Sequence, residues 1–326
     1  MSLTGAAVEA GAVEGIPPDL EPGREAAAKI EGRSTWQLAW AKLRRDRAAM
    51  ISFTVIVVII LVAIFAPVFA TITGHGVDQQ FRTTGLSPDG LPVGPSKTFL
   101  LGTDDQGRDL LVRIAYGTRT SLLVGLVATL ISVAIGAVLG LAAGYFGGLV
   151  DTVIARLIDL VLSLPYLLFA ICLVSIGGFG PIKPGLPIII FVIAVFSWAA
   201  VARIVRGQVL SIREKEYIEA ARSLGASSWR IMFIDVLPNL AAQLIVYATL
   251  LIPVVIIFEA ALSFLGLGVQ PPTPDWGQMI SVAEEYYQQA WWYLLFPSLA
   301  LLITTVAFNI LGDGVRDALD PRLERL

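Results

Sequence analysis

One cysteine, Cys172, and one histidine, His75, occur among the 326 residues. A lone cysteine excludes a disulfide within the chain. One thiol and one imidazole cannot furnish the ligands of a closed zinc site. Cys172 lies in an apolar run and reads as a small buried hydrophobe; His75 lies in a polar loop and reads as solvated. Charge is scarce as well. Asp, Glu, Lys and Arg make up 15% of the chain, against about 25% in an ordinary soluble domain. A net charge of −3 is not the basic footprint of a nucleic-acid binder. No G-x-x-x-x-G-K-[ST] loop occurs, so ATP hydrolysis by this chain is not expected. Gly102 to Arg108 (GTDDQGR) has the glycine spacing of a phosphate loop but no Lys and no Ser/Thr, and Asp104 and Asp105 repel a phosphate. It reads as an outer-loop turn. Asp104, Asp105 and Asp109 lack the regular spacing of a calcium loop, and no metal is expected there. The first 33 residues have no apolar core, so they are expected to be a disordered cytoplasmic tail and not a cleavable signal.

What the chain does have is apolar length. It is 56% hydrophobic, and six runs have the roughly 20 residues a bilayer crossing requires. They fall at about 48–72, 121–146, 153–176, 186–205, 240–267 and 293–311. Each is expected to be a helix, because lipid leaves an isolated strand's backbone unsatisfied. The fold class is therefore an all-α membrane protein with six transmembrane helices. Residues 34–47 precede the first run. Trp36, Ala39, Trp40 and Leu43 share one helical face there, and Lys42, Arg44, Arg45 and Arg47 follow, which suits an amphipathic helix at the membrane surface. Basic residues set the orientation. They crowd 24–47, 206–230 and 316–325, and Lys and Arg are absent from 270–292. Both termini and the 206–239 loop are thus expected inside, with 73–120 forming an outer loop.

That inner loop is a charged island, Arg213 to Pro238 (REKEYIEAARSLGASSWRIMFIDVLP), in a greasy chain. Tyr217 to Leu224 has good helix formers, and Glu219 and Arg222 sit close enough to pair. Gly225 is placed to end that helix. Ser227 can cap a second one, and Leu237-Pro238 is expected to stop it. Ala220 and Ala221 leave a low-relief surface that a partner can approach. On residues alone, a docking hairpin and a plain solvated hairpin both fit.

Glu219-Ala220-Ala221, Gly225 and Leu237-Pro238 resemble the EAA loop of ABC importer permeases. Asp235 stands where that pattern usually has Ile. Three further stretches, LGTDDQGRDLLVRIAYGTRTSL from Leu101, FEAALSFLGLGVQPPTPDWGQM from Phe258 and LGDGVRDALDPR from Leu311, are similar to the C-type permease subunit of dipeptide/oligopeptide ABC importers. The likeness extends over most of the chain from Trp36 onward. It implies a cytoplasmic coupling helix in the island and half of a translocation pathway working by alternating access. It also implies a prokaryotic inner-membrane location. The partners implied are a second, related permease subunit, two ATP-binding subunits or domains below, and an external solute-binding protein. ATP and magnesium would belong to the ATPase partners, with no cofactor on this chain.

Charges inside the runs point elsewhere. Arg156 and Asp159 are placed to neutralise each other. Glu259 in the fifth run is a functional candidate by default; it lines the substrate path and meets a peptide's amino group, or it sits hydrogen-bonded and silent. Pro253 is expected to bend that run. Gly136, Gly140 and Gly144 form a small-residue seam in the second. An ion-gradient-driven secondary transporter is the rival class. It predicts buried acid or histidine relays and inverted repeats; no convincing repeat is present.

Overall fold

A computed structural model describes residues 35–176 and 185–320. The expected N-terminal tail lies outside them. Among the described residues the chain is nearly all helix, with only two isolated β-bridges. Five helices are long and apolar enough to cross a membrane, or six if one sharply bent pair counts as a single span.

The first helix, α1 (Thr35–Arg45), is followed by α2 (Arg47–Ile64), whose N-terminal amides are capped by Asp46 Oδ1 at 2.9 and 3.2 Å. Ala39 and Leu43 of α1 are buried, whereas Trp36 and Trp40 stay exposed and Arg44 lies over the Trp40 ring. A short α3 (Ala66–Thr73) completes the first run after a break at Phe65. The second long helix, α4 (Leu110–Phe146), begins well before residue 121, so the loop expected over 73–120 is shorter than the sequence suggested. Asp109 caps its start.

The third run is not one straight span. Helices α5 (Gly148–Ser163) and α6 (Tyr166–Ser175) meet at 85°. Pro165 explains the break: it lacks an N–H and pushes the residue before it out of the helical region. Leu164 is accordingly extended (φ −76°, ψ 136°). Cys172 is exposed on α6, not buried as expected.

Helix α7 (Leu186–Ile212) packs along α4. A Cβ added to Gly136 or Gly144 would sit 2.6 Å from a Val201 or Val209 Cβ, and one on Gly140 would sit 2.6 Å from the Ala202 carbonyl. The small-residue seam therefore brings two backbones close together. Asp159 does not pair with Arg156; Arg203 Nη2 of α7 donates to it at 2.6 Å. Arg206 forks onto Asp151, with its Nη2 2.7 Å from Oδ2. Residue numbers i, i+3 placed Arg156 near Asp159, but α7 offers longer reach from across the groove.

After α7 come α8 (Glu216–Ser223), α9 (Ser228–Arg230), a π-helical segment Ile231–Val236, and α10 (Leu237–Phe264). From Ser228 to Phe264 the helix is continuous. Leu237-Pro238 thus does not stop it. A π-helical turn, in which Leu237 N reaches back to Met232 O, lies just upstream of Pro238, and such widened turns are a recognised form of local helix adjustment. Pro253 also lies inside α10, buried. The last described elements are α11 (Trp276–Ala283), a 3₁₀ turn Glu284–Tyr286, and α12 (Trp291–Leu319).

Exposed Ile51, Val58, Leu61, Leu130, Val138, Leu302 and Val306 clad the long helices. An apolar exterior on this scale suits lipid, not water.

Candidate coupling hairpin and the capped far end

The charged island is a hairpin standing at one end of the bundle. Leu224 N donates to Ala220 O, Gly225 N to Arg222 O, and Ala226 N to Ala221 O at 3.1 Å. This double closure needs a left-handed residue, and Gly225 supplies it at φ +81°. Ser227 Oγ accepts from Arg230 N and caps the next helix. Asn239 Nδ2 donates to Asp235 O at 2.6 Å and to the Tyr217 hydroxyl at 3.3 Å, tying the two arms.

One face of the hairpin is anchored. Ile218, Ile231, Met232 and Val236 are buried with Leu141 and Tyr145 of α4 and Val205 and Val209 of α7. The other face is bare. Leu224 is 88% exposed and Trp229 67%, with Ile234 and Phe233 beside them; the Trp229 and Phe233 rings stack 5.5 Å apart. Glu219, Ala220, Gly225 and Pro238 are exposed, and Ala221 and Leu237 half-buried. No ion pair joins Glu219 to Arg222 among the described residues. Arg222 instead lies 5.8 Å over the Tyr145 ring. Glu219, Arg222, Arg213 and Glu214 line a polar cavity of about 390 Å³ with Tyr145 and Phe146. Arg213 Nη1 also donates to Gly144 O at 3.0 Å, so the hairpin's root is fastened to the end of α4.

At the opposite end, residues 74–109 fold into a cap. His75 is not solvated: its Nδ1 lies 2.6 Å from Asp109 Oδ2, and Phe81 and Phe99 pack on its ring at 4.5 and 5.0 Å. Asp104 is fully buried and accepts from Arg108 Nε at 2.6 Å, with Arg113 Nε at 3.2 Å. Burial pushes the Asp104 carboxyl above its ordinary range, and Arg108 and Arg113 oppose that rise. Asp105 accepts from the Tyr293 hydroxyl of α12 at 3.0 Å. No cluster that could hold a metal ion occurs among the described residues. Gly102 (φ +84°) turns the chain where a Cβ would sit 2.7 Å from the Trp292 ring. The GTDDQGR turn is thus a structural knot. Breaking a buried ion pair so that a charge is left unpaired costs about 3–5 kcal/mol; without Arg108, Asp104 keeps only Arg113, so the loss falls toward the low end of that range. Arg108→Ala is therefore expected to lower the unfolding midpoint by several degrees. A thermal melt of the purified protein within a degree or two of the parent would contradict this reading of the cap.

Glu259 of α10 is fully buried. Ser263 Oγ donates to its Oε1 at 3.1 Å, and Asp275 lies within hydrogen-bond reach. Asp275, also fully buried, accepts from Ser121 Oγ of α4 at 3.1 Å and caps α11 through Gln278 N. The neighbouring Trp276 is buried and packs on Gly117 of α4. The FLGLG…PPTPDWG stretch is therefore a staple that fastens the 265–283 segment to α4 and α10. Sequence reasoning passed over Asp275, because its partners lie far away in the chain. Its Asp-Trp-Gly-Gln context at a helix start was the signal available. Glu259→Gln keeps the shape and brings N–H donors to Asp275, so it is expected to melt near the parent. Glu259→Ala leaves a void and orphaned polar groups, costing about 2–4 kcal/mol. Equal melting of the two variants would refute the staple.

Comparison with known proteins agrees with this architecture. Residues 136–325 match the family described as binding-protein-dependent transport system inner membrane component. Residues 34–88 match the N-terminal TM domain of oligopeptide transport permease C. The chain is 42% identical over 285 residues to the di/tripeptide transport system permease protein DppC of Pseudomonas aeruginosa, covering 87% of this chain and 91% of that one. It is 42% identical over 294 residues to the oligopeptide transport system permease protein OppC of Escherichia coli, covering 90% and 93%. It is 39% identical over 292 residues to the glutathione transport system permease protein GsiD of Pectobacterium atrosepticum, covering 90% and 93%. With its bundle of apolar helices and anchored hairpin, the chain belongs to the binding-protein-dependent inner-membrane permeases, as a membrane permease subunit of an ABC importer.

Proposed function

We propose that this subunit forms half of a peptide translocation pathway, driven through the 213–239 hairpin by ATPase partners. The observation that carries the proposal is the hairpin's two-sidedness: Ile218, Ile231, Met232 and Val236 root it in the bundle, while Leu224, Trp229 and Phe233 stand bare. Helix-in-groove docking uses such an apolar, presented face. The hairpin lies in the cytoplasm with both termini, in keeping with the distribution of Lys and Arg. Glu219, Ala220, Ala221, Gly225, Leu237 and Pro238 belong to the coupling surface and its supports. The second half of the pathway is a related permease subunit, two ATP-binding subunits sit beneath, and an external solute-binding protein delivers substrate. ATP and magnesium bind the ATPases. Closure of those subunits carries the hairpins inward, and the spans swing from inward-open to outward-open. Hydrolysis reverses the swing and releases substrate inside. Peptides are the substrate class, supported by the names of the relatives that cover most of the chain. We assign Glu259 to the fastening of α10 and not to the pathway, a reading supported by its full burial.

Peptide uptake by cells carrying the transporter is expected to persist when a protonophore collapses the ion gradient and to stop when ATP is depleted. The reverse pattern would establish an ion-driven carrier instead.

A further inference from the structure

At the hairpin end, α7, α10 and α12 enclose a cleft of about 530 Å³, lined by Gln208, Gln243, Tyr247 and Leu250, with Arg316 and Asp320 at α12. Its volume falls among those of small-ligand sites, about 300–1,000 Å³. Gln208, Gln243 and Tyr247 also bound a narrow crevice adjoining it, beside Val205 and Leu240. Gln243 and Tyr247 are one turn apart on α10 and share a face. They lie roughly 9 and 15 Å along the axis from the start of that helix, at 1.5 Å per residue. Gln243 is exposed, and Gln208 and Tyr247 are half-buried. Among the described residues, neither amide makes a hydrogen bond to another group.

An amide turned toward hydrocarbon with no partner costs several kcal/mol. Elsewhere these helices present Ile245, Val254, Ile257, Leu302 and Val306. Two open amides and a phenol gathered in one cleft mark a surface that does not face lipid. Their chemistry is also particular. Amides and a hydroxyl each donate and accept, so they match the N–H and C=O groups of a peptide main chain without selecting among side chains. Neutral groups bind such a solute weakly, and Arg316 and Asp320 on the α12 side bring one charge of each sign, so the lining carries no net charge to hold a solute that must leave.

We propose that this cleft is the subunit's wall of the inner exit vestibule, where Gln208, Gln243 and Tyr247 hydrogen-bond the main chain of the departing peptide. The proposal rests on the importer reading above. It is tested in the assembled transporter, in a Cys172→Ser background, using inverted membrane vesicles. Gln243→Cys and Tyr247→Cys should react with a membrane-impermeant sulfonated maleimide in the absence of nucleotide. Trapping with ATP and vanadate, which closes the inner end, should slow that reaction roughly tenfold. Gln243→Trp should lower uptake of labelled dialanine at least about tenfold relative to the parent, with the ATPase subunits still bound, and Gln243→Asn, which keeps the amide, should lose clearly less than Gln243→Trp. Unreactive cysteines would show that lipid or the neighbouring subunit fills the cleft, and reactivity unchanged by trapping would separate it from the transport cycle. Either result overturns the proposal, as does parental uptake by Gln243→Trp. The importer reading fails separately, when the parent complex itself holds no vanadate-sensitive ATPase activity. If the parent has that activity and the cysteines stay silent, only the vestibule falls.

Discussion

Replacing Gly225 with valine is expected to lower ATP-driven uptake strongly, by about tenfold or more, while the subunit still inserts and assembles. The residue holds φ +81° at the turn between α8 and the helix that begins at Ser228. A β-branched side chain there costs roughly 1–2 kcal/mol, and it breaks the pair of bonds from Gly225 and Ala226 to Arg222 and Ala221. The cost to the fold is modest because the turn is exposed and no atom lies within 4 Å of where the Cβ would go. The cost to coupling is large because the turn sets the direction of the bare face that carries Leu224 and Trp229. Gly225→Asn tolerates the left-handed region better and should retain a good part of the activity. The check is uptake and ATPase activity measured on the same preparation. Valine should separate them, leaving ATP hydrolysis that drives no transport. Parental uptake in the valine variant would refute the hairpin's role.

The second large effect is expected at the seam. Gly140→Val would place side-chain atoms where the Ala202 carbonyl and Val205 already stand, 2.6 and 2.7 Å from the new Cβ. The carbonyl cannot rotate away as a side-chain tip can, so α4 and α7 must separate. Overpacking of this kind costs about 1–3 kcal/mol, occasionally more, and in a membrane no hydrophobic force between helices compensates for lost packing. The variant should be recovered at low level, with a lowered melting temperature. Gly207→Val on α7, where nothing lies within 4 Å of an added Cβ, serves as the matched control and should behave like the parent in the same melt. If the two melt alike, close backbone approach is not what holds this pair of helices.

Much of this architecture was readable from local sequence. The long apolar runs announced the helices, and the glycines at 136, 140 and 144 announced a close seam because only hydrogen atoms separate the backbones there. Gly225 followed by Ser227 announced the hairpin turn, since each satisfies backbone groups within a few residues of itself. What escaped depends on distance along the chain. His75 looks polar until Asp109, Phe81 and Phe99 close around it. Asp159 finds Arg203 on another helix, not its neighbour Arg156. The staple from Asp275 joins α4, α10 and α11, and no window of sequence contains all its partners. Two prolines behave differently, and only Pro238 had been expected to stop a helix. Pro165 breaks its helix, with Leu164 in an extended conformation, while Pro238 is carried in a continuous one whose preceding turn is a π segment. The exposed aromatic pair Trp229 and Phe233 was present in the quoted island, yet its stacking on the free face appears only once the buried Ile231 and Met232 fix the rotation of that helix.

The central claim is that the hairpin is a handle gripped from the cytoplasm by separate ATPase subunits. Ser228→Cys in a Cys172→Ser background tests it most directly, with an impermeant maleimide applied to one side of the membrane at a time. Labelling is expected only from the cytoplasmic side, and it should be suppressed when the ATPase subunits are present and restored when they are stripped away. Labelling from the external side, or labelling that is indifferent to the ATPases, would contradict the account.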